Sequence, residues 1–185
     1  LAQGLSGTDL AEMLIAGITK GELFERTACP SSLVLASMDD DDLLLPPLPN
    51  HLFTRDTSCW IYNGVSVNSM TMPARQRETI NYEAIYRWHP RFSNADFPVW
   101  SEGTQAGPAT VEGGDVQIIG NGAVLVGISE RTTAQGIERL SSRLFAGGKV
   151  NQVVAVEMSR TRAQMHLDTV MTMVDVGTFT TYGGL

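Results

Sequence analysis

Three aspartates, two arginines, a glutamate and a histidine are placed so that they could do chemistry together. Asp56, Asp115 and Asp168 each begin a β-rich run. Glu112 stands three residues before Asp115 in E-G-G-D, and His166 two before Asp168 in H-L-D. Arg75 and Arg131 occupy comparable places, each just after the second strand of a predicted hairpin. Two carboxylates can clamp a planar guanidinium through bidentate, charge-assisted hydrogen bonds. Two arginines further out can hold a carboxylate. Glu112 and His166 then remain for proton transfer, the carboxylate orienting or charging the imidazole. A molecule with a guanidinium at one end and a carboxylate at the other is free arginine, and this inventory suits it.

Each of these residues has a plainer reading when taken alone. An aspartate before a strand is usually a turn or cap residue. H-x-D alone is more often structural than catalytic, and as a metal pair it lacks a clear third ligand. E-G-G-D alone is a turn, in which Gly113 and Gly114 allow close backbone approach or positive φ. Arg75 and Arg131 alone are helix-start or surface charges. Only convergence lifts the set above these readings.

The elements that would cause convergence form a repeat. Asp56-Thr57 precedes SCWIY, an Asn63-Gly64 pair and VSVNSM; a helical segment (ARQRETINYEAIYRW) and a short strand at PVW come next. Asn-Gly between β-rich runs signals a hairpin, because both turn positions need positive φ. The pattern recurs from Asp115: VQII, Asn121-Gly122, AVLVGIS, a helix from about Thr132 to Phe145, and a strand at VVAV. A third copy opens at Asp168-Thr169 with VMTMV, an Asp175-Val176-Gly177 turn and TFTTY. The two Asp-Thr pairs each stand seven residues before their turn, and the period is somewhat over 50 residues. Units of strand–strand–helix–strand bury their faces by stacking, so a ring of ββαβ units is the natural architecture. Equivalent positions then face one centre. In an extended segment His166 and Asp168 share a face. Cys59 lies an odd number of residues from Asp56, so on a regular strand it points away from that centre.

The rest of the chain bounds the function class. A composition 43% hydrophobic and 18% charged is that of a globular protein. The net charge of −7, from 20 acidic and 13 basic residues, argues against a nucleic-acid surface, which needs a basic stripe. No apolar run reaches the roughly 20 residues that span a bilayer, and no basic-then-apolar leader is seen. Cys29 and Cys59 are too few for a disulfide framework, so a reducing cytoplasm fits. Residues 6–26 read as helical, with Ser6 as N-cap and Leu10, Met13, Leu14 and Ile18 at helical spacing. An acidic run, Asp39 to Asp42, reads as solvated. Prolines at 46, 47 and 49 forbid regular helix or central strand, and the stretch from Cys29 to Asn50 reads as a connector. Residues 1–49 are thus expected to form a helical insertion and connector, and residues 50–185 the catalytic domain.

N-H-L-F-T-R-D (Asn50 to Asp56), V-E-G-G-D (Val111 to Asp115), G-I-S-E-R-T (Gly127 to Thr132) and M-H-L-D-T-V (Met165 to Val170) together resemble arginine deiminase in content, order and spacing. The resemblance implies an α/β fold, an incomplete α/β propeller (pentein) of ββαβ units with part of a helical insertion before it. It implies hydrolysis of L-arginine to citrulline and ammonia, without metal or cofactor. Asp56 and Asp168 match the aspartates that grip the guanidinium. Asn50, Arg75 and Arg131 match residues that hold the α-carboxylate, and Phe53 one that packs on the aliphatic part. His166 matches the histidine that protonates departing ammonia and then activates water, and Glu112 the glutamate paired with it. Asp115 is a candidate support for the site.

In that family a cysteine attacks the guanidinium carbon to give a covalent amidino-cysteine. Neither Cys29 nor Cys59 matches it, so the chain, opening at Leu1 and stopping at Gly183-Gly184-Leu185, is expected to lack the nucleophile and to be inactive alone. An open propeller would expose core, so self-association is expected. Competing readings are a related guanidino enzyme (agmatine deiminase, dimethylarginine hydrolase or amidinotransferase), a non-catalytic arginine-binding or structural fragment, and a metal-dependent hydrolase using His166, Asp168, Asp115 and Glu112.

Overall fold

Caps set the course of the first unit, Leu1–Leu52. The computed structural model describes residues 4–183, so the expectations about the chain ends at Leu1 and Leu185 fall outside the described residues. Ser6 accepts from the Asp9 amide and starts α1 (Gly7–Ala16). The expected single helix over 6–26 is interrupted at Gly17, which has φ 86° and touches the backbone of Leu45 so closely that a Cβ would lie 2.3 Å from its carbonyl oxygen. The chain then forms β1 (Ile18–Thr19) and α2 (Lys20–Phe24), which Thr19 and Glu22 close with a capping box. After α3 (Leu33–Ala36), β2 (Leu43–Leu45) pairs antiparallel with β1. The acidic run is not merely solvated. Lys20 Nζ donates to the Met38 carbonyl at 2.7 Å and lies 3.1 Å from Asp40 Oδ1.

The second unit, Phe53–Leu185, carries the repeat. One helical turn, α4 (Thr54–Thr57), leads into β3 (Ser58–Ile61), antiparallel to β4 (Gly64–Val67). The turn of this hairpin falls one residue earlier than expected. Tyr62 takes the positive φ of 53°, and Gly64 already pairs with Ile61. Glycine is needed there for packing, because a Cβ would lie 2.5 Å from the Trp100 ring. Then come α5 (Pro73–Gln76) and α6 (Glu78–Trp88), and Val99 returns as an isolated parallel bridge to Val65.

The second copy is complete. β5 (Val116–Gly120) and β6 (Ala123–Ile128) are antiparallel around Asn121-Gly122, both at positive φ. α7 (Ala134–Ala146) crosses over to β7 (Gln152–Glu157), which lies parallel to β6. The third copy is α8 (Leu167–Val170) with β8 (Met171–Asp175) and β9 (Thr178–Thr181) after it, antiparallel to each other. The fold is mixed α/β with small sheets.

Thr133 caps α7, and Ile137, Leu140 and Leu144 line its buried stripe. They pack on Val116, Val124 and Val126 and reach Cys59, Ile61 and Trp100 from the preceding copy, so the first two repeats share one core. Each such side chain, fully buried, contributes roughly 1.5–3 kcal/mol. A smaller cluster of Met158, Leu167 and Val170 anchors α8. Among the described residues no helix is long and apolar enough to cross a membrane.

Candidate active site

Each of the three aspartates sits in one helical turn immediately before the first strand of its hairpin. Asp56 is in α4, Asp115 in the 3-10 turn Gly113–Asp115, and Asp168 in α8. The glycines of E-G-G-D serve close approach rather than positive φ. A Cβ on Gly113 would fall 2.0 Å from the Arg55 carbonyl oxygen. One on Gly114 would fall 2.6 Å from His166 Nδ1 and 3.0 Å from Asp56 Oδ1. The backbone at Gly114 is therefore a floor on which the imidazole and the Asp56 carboxylate rest.

His166 is buried between two carboxylates. Its Nε2 lies 2.8 Å from Glu112 Oε2, and its Nδ1 lies 3.7 Å from Asp56 Oδ1. Burial disfavours the imidazolium, but the Glu112 hydrogen bond and the charges of Asp56, Asp115 and Glu112 outweigh it, and the pKa is raised. Glu112 is fully buried and accepts from the Thr71 amide at 3.3 Å, while its own amide donates to Thr132 Oγ1 at 3.0 Å. Asp168 sits on the exposed rim. Partial desolvation and the like charge of Asp56 raise its carboxyl, opposed by His166 and Arg55. His166 and Asp168 do not share an extended strand face as expected, because His166 caps α8 and Asp168 lies inside its turn.

Arg75 departs from its expected place as an outer carboxylate binder. Its Nε and Nη2 donate to the two oxygens of Glu78, each at 2.9 Å; Nη1 donates to Asp56 Oδ2 at 2.7 Å, and Nη2 also to the Phe53 carbonyl at 3.1 Å. Its donors are turned inward, and the paired charges raise its pKa against the cost of burial. Glu78, fully buried and also accepting from Thr57 Oγ1, was not singled out from the sequence. Its only signal was the i,i+3 spacing from Arg75 at a helix start.

Arg131 presents the opposite case. It is 6% exposed, its Nε has no hydrogen-bond partner among the described residues, and its nearest carboxylate oxygens are Glu112 Oε2 at 3.8 Å and Glu130 Oε1 at 4.0 Å. A buried guanidinium so poorly matched is suited to receive an anion. Asp115 lies deeper than half-buried Asp56 and exposed Asp168. It is fully buried and accepts from Ser129 Oγ, Thr132 Oγ1 and the Leu167 amide. Desolvation raises its pKa to about 6 against those hydrogen bonds. Phe53 is exposed; Asn50 is an exposed residue of the first unit. Cys29 is exposed in the first unit, whereas Cys59 is core, its thiol pushed by burial up to about 11.

The arginine deiminase family model matches residues 2–185. The chain belongs to the arginine deiminase family. Solved structures give the same fold: dimethylarginine dimethylaminohydrolase from Pseudomonas aeruginosa complexed with citrulline (22% identity, TM-score 0.59, covering 92% of this chain and 66% of that one). Another dimethylarginine dimethylaminohydrolase, an adduct with S-methyl-L-thiocitrulline, matches at 23% identity and TM-score 0.58, covering 82% of this chain and 55% of that one. The N-terminal domain of ArgZ, an arginine dihydrolase of cyanobacteria bound to product, matches at 19% and 0.57, over 72% of this chain and 44% of that one. The chain thus spans from under half to two thirds of these proteins, all pentein enzymes.

For this member of the arginine deiminase family, the arrangement sets the carboxylate of Asp56 beside an imidazole whose pKa the Glu112 hydrogen bond raises. Asp56, Glu112 and His166 also offer three ligand atoms within 4.8 Å of one another. This differs from the metal set read from the sequence, because Asp115 is committed to two hydroxyls and an amide.

Proposed function

We propose that this chain supplies the guanidinium site and proton-transfer pair for hydrolysis of L-arginine to L-citrulline and ammonia. One observation carries the reading. The Glu112–His166 hydrogen bond of 2.8 Å lies beside Asp56, and Arg131 Nη1 stands 3.8 Å from the same Glu112 oxygen while its Nε has no hydrogen-bond partner among the described residues. One ligand with a cation at one end and a carboxylate at the other satisfies both. Asp56 and Asp168 grip the guanidinium, Arg131 takes the carboxylate, and Phe53 covers the aliphatic stem. Arg75, held by Glu78, fixes Asp56.

A thiolate adds to the guanidinium carbon, and His166 as imidazolium gives its proton to the departing ammonia. Water then adds to the amidino carbon while His166 takes one of its protons; the thiolate leaves, the hydroxyl proton passes to solvent, and citrulline forms. ArgZ, a structural relative, has been seen covalently bonded to a reaction intermediate. Here the nucleophile is read as lying outside these 185 residues, because the Cys59 thiol is buried and pushed up to about 11 and Cys29 does not match the family's cysteine. The first unit reads as a helical insertion and connector, and the second as part of a cytoplasmic, cofactor-free α/β propeller.

The test is a substrate panel on the full-length protein. L-arginine should yield citrulline and ammonia, with agmatine and dimethylarginine used at least roughly tenfold less well, and chelator should leave the rate unchanged. Preference for dimethylarginine would instead favour the chemistry of the dimethylarginine-hydrolysing relatives. Binding without turnover would favour a non-catalytic role.

A further inference from the structure

The two ends of this site are carried by different loops, and one buried carboxylate joins them. Asp115 Oδ1 accepts at 2.9 Å the amide of Leu167, the residue between His166 and Asp168. Asp115 Oδ2 accepts Ser129 Oγ at 2.7 Å and Thr132 Oγ1 at 2.6 Å. Ser129 Oγ in turn accepts the amides of Arg131 and Thr132 at 3.0 and 3.1 Å, so it fixes the backbone from which the Arg131 guanidinium extends. Thr132 Oγ1 also accepts the Glu112 amide. The whole cluster is buried, and β6 leaves room for it only because residue 127 is glycine. A Cβ there would lie 2.6 Å from Asp115 Oδ1 and 3.2 Å from Leu167 Cβ.

We infer that Asp115 is a positioning residue that works as a length gauge, fixing the distance between the guanidinium seat at His166 and Asp168 and the carboxylate seat at Arg131. The inference rests on the functional reading above. It adds that selection for the number of methylenes between the two ends is set by this carboxylate, not by the residues that touch the ligand. Its two oxygens have separate loads, one per loop, so the rigidity of a single side chain becomes the rigidity of the span. An isosteric amide cannot do the same. Asn at 115 offers one acceptor to Leu167, but its NH2 group meets two hydroxyls whose protons then have no carboxylate to take them.

The experiment compares L-arginine with L-homoarginine, one methylene longer, in the full-length wild type and in Asp115→Asn, Thr132→Val and Thr132→Ser. One methylene in a tight site discriminates by roughly 10–200-fold. Asp115→Asn should narrow the kcat/KM preference for arginine by about tenfold, with the larger change in KM for arginine. Thr132→Val should narrow it in the same sense, and Thr132→Ser, which keeps the hydroxyl, should restore it. If Asp115→Asn does not fold, the Thr132 pair reads the same span. Asp115→Asn and Thr132→Val that slow both substrates equally, leaving the ratio within about twofold of wild type, would overturn the gauge alone. A wild type that hydrolyses neither compound would overturn the functional reading and the gauge with it.

Discussion

Glu112 Oε2 and His166 Nε2 meet at 2.8 Å although 54 positions separate them in sequence. Glu112 is fully buried and has no solvent to balance its charge, so the contact favours an imidazolium. The other ring nitrogen faces Asp56 Oδ1 at 3.7 Å, so the imidazole lies beside the carboxylate expected to hold the reacting group.

The pKa of His166 should therefore fall when Glu112 is replaced by Gln. A group raised in the folded state stabilises it fully below the unfolded value, about 6.5, and loses that contribution as pH rises through the folded value. Wild-type stability should decline above about pH 6.5 by more than that of Glu112→Gln. NMR titration of the imidazole, with urea denaturation between about pH 5 and 9, checks both. An unchanged imidazole titration in the variant would show that Glu112 does not charge it.

Arg131→Ala should damage arginine turnover far more than agmatine turnover in the full-length protein. A hydrogen bond to a charged group contributes roughly 1.5–3 kcal/mol, so the preference should shrink by about ten- to a hundredfold. Comparing kcat/KM for the two substrates reads this directly. A ratio that stays put would remove Arg131 from the carboxylate seat.

Glu78→Ala should unfold more easily than any rim substitution. It removes the carboxylate that takes Nε and Nη2 of Arg75, which is 5% exposed, and loss of one partner of a buried pair costs about 3–5 kcal/mol. Urea midpoints at constant m-value give the number. A loss below about 1 kcal/mol would mean that Arg75 finds another partner.

How far the sequence carried these conclusions depended on whether a signal was local. The Asn121-Gly122 turn and the α7 stripe were legible because φ and helical spacing are local properties, and the repeat emerged from them. The Asn63-Gly64 turn misled by one residue because Gly64 answers to Trp100, a contact 36 positions away. His166, Glu112 and Asp56 were nominated together and do meet. Arg75 looked like Arg131, being placed alike in the repeat, yet one is saturated by Glu78 and Asp56 while the other has an unmatched Nε. The i,i+3 spacing that brings Glu78 to Arg75 has no counterpart after Arg131, where Ala134 stands, so the difference lies within each arginine's own copy.

Thiol labelling should distinguish the two cysteines in the folded chain. Cys29 is exposed, whereas Cys59 is buried with its thiol held near 11. Iodoacetamide at about pH 8 should modify Cys29 fast and Cys59 only on unfolding. Rapid native-state labelling of Cys59 would contradict its assignment to the core.

Citrulline release by the full-length protein, compared between His166→Ala and Cys59→Ala, tests the central claim most directly. Loss of the proton-transfer group should lower kcat by on the order of 10²–10⁴. Cys59→Ala, normalised to folded protein, should stay within about threefold of wild type, because a buried neutral thiol is not a nucleophile. Abolished turnover in Cys59→Ala together with near-normal turnover in His166→Ala would contradict the account.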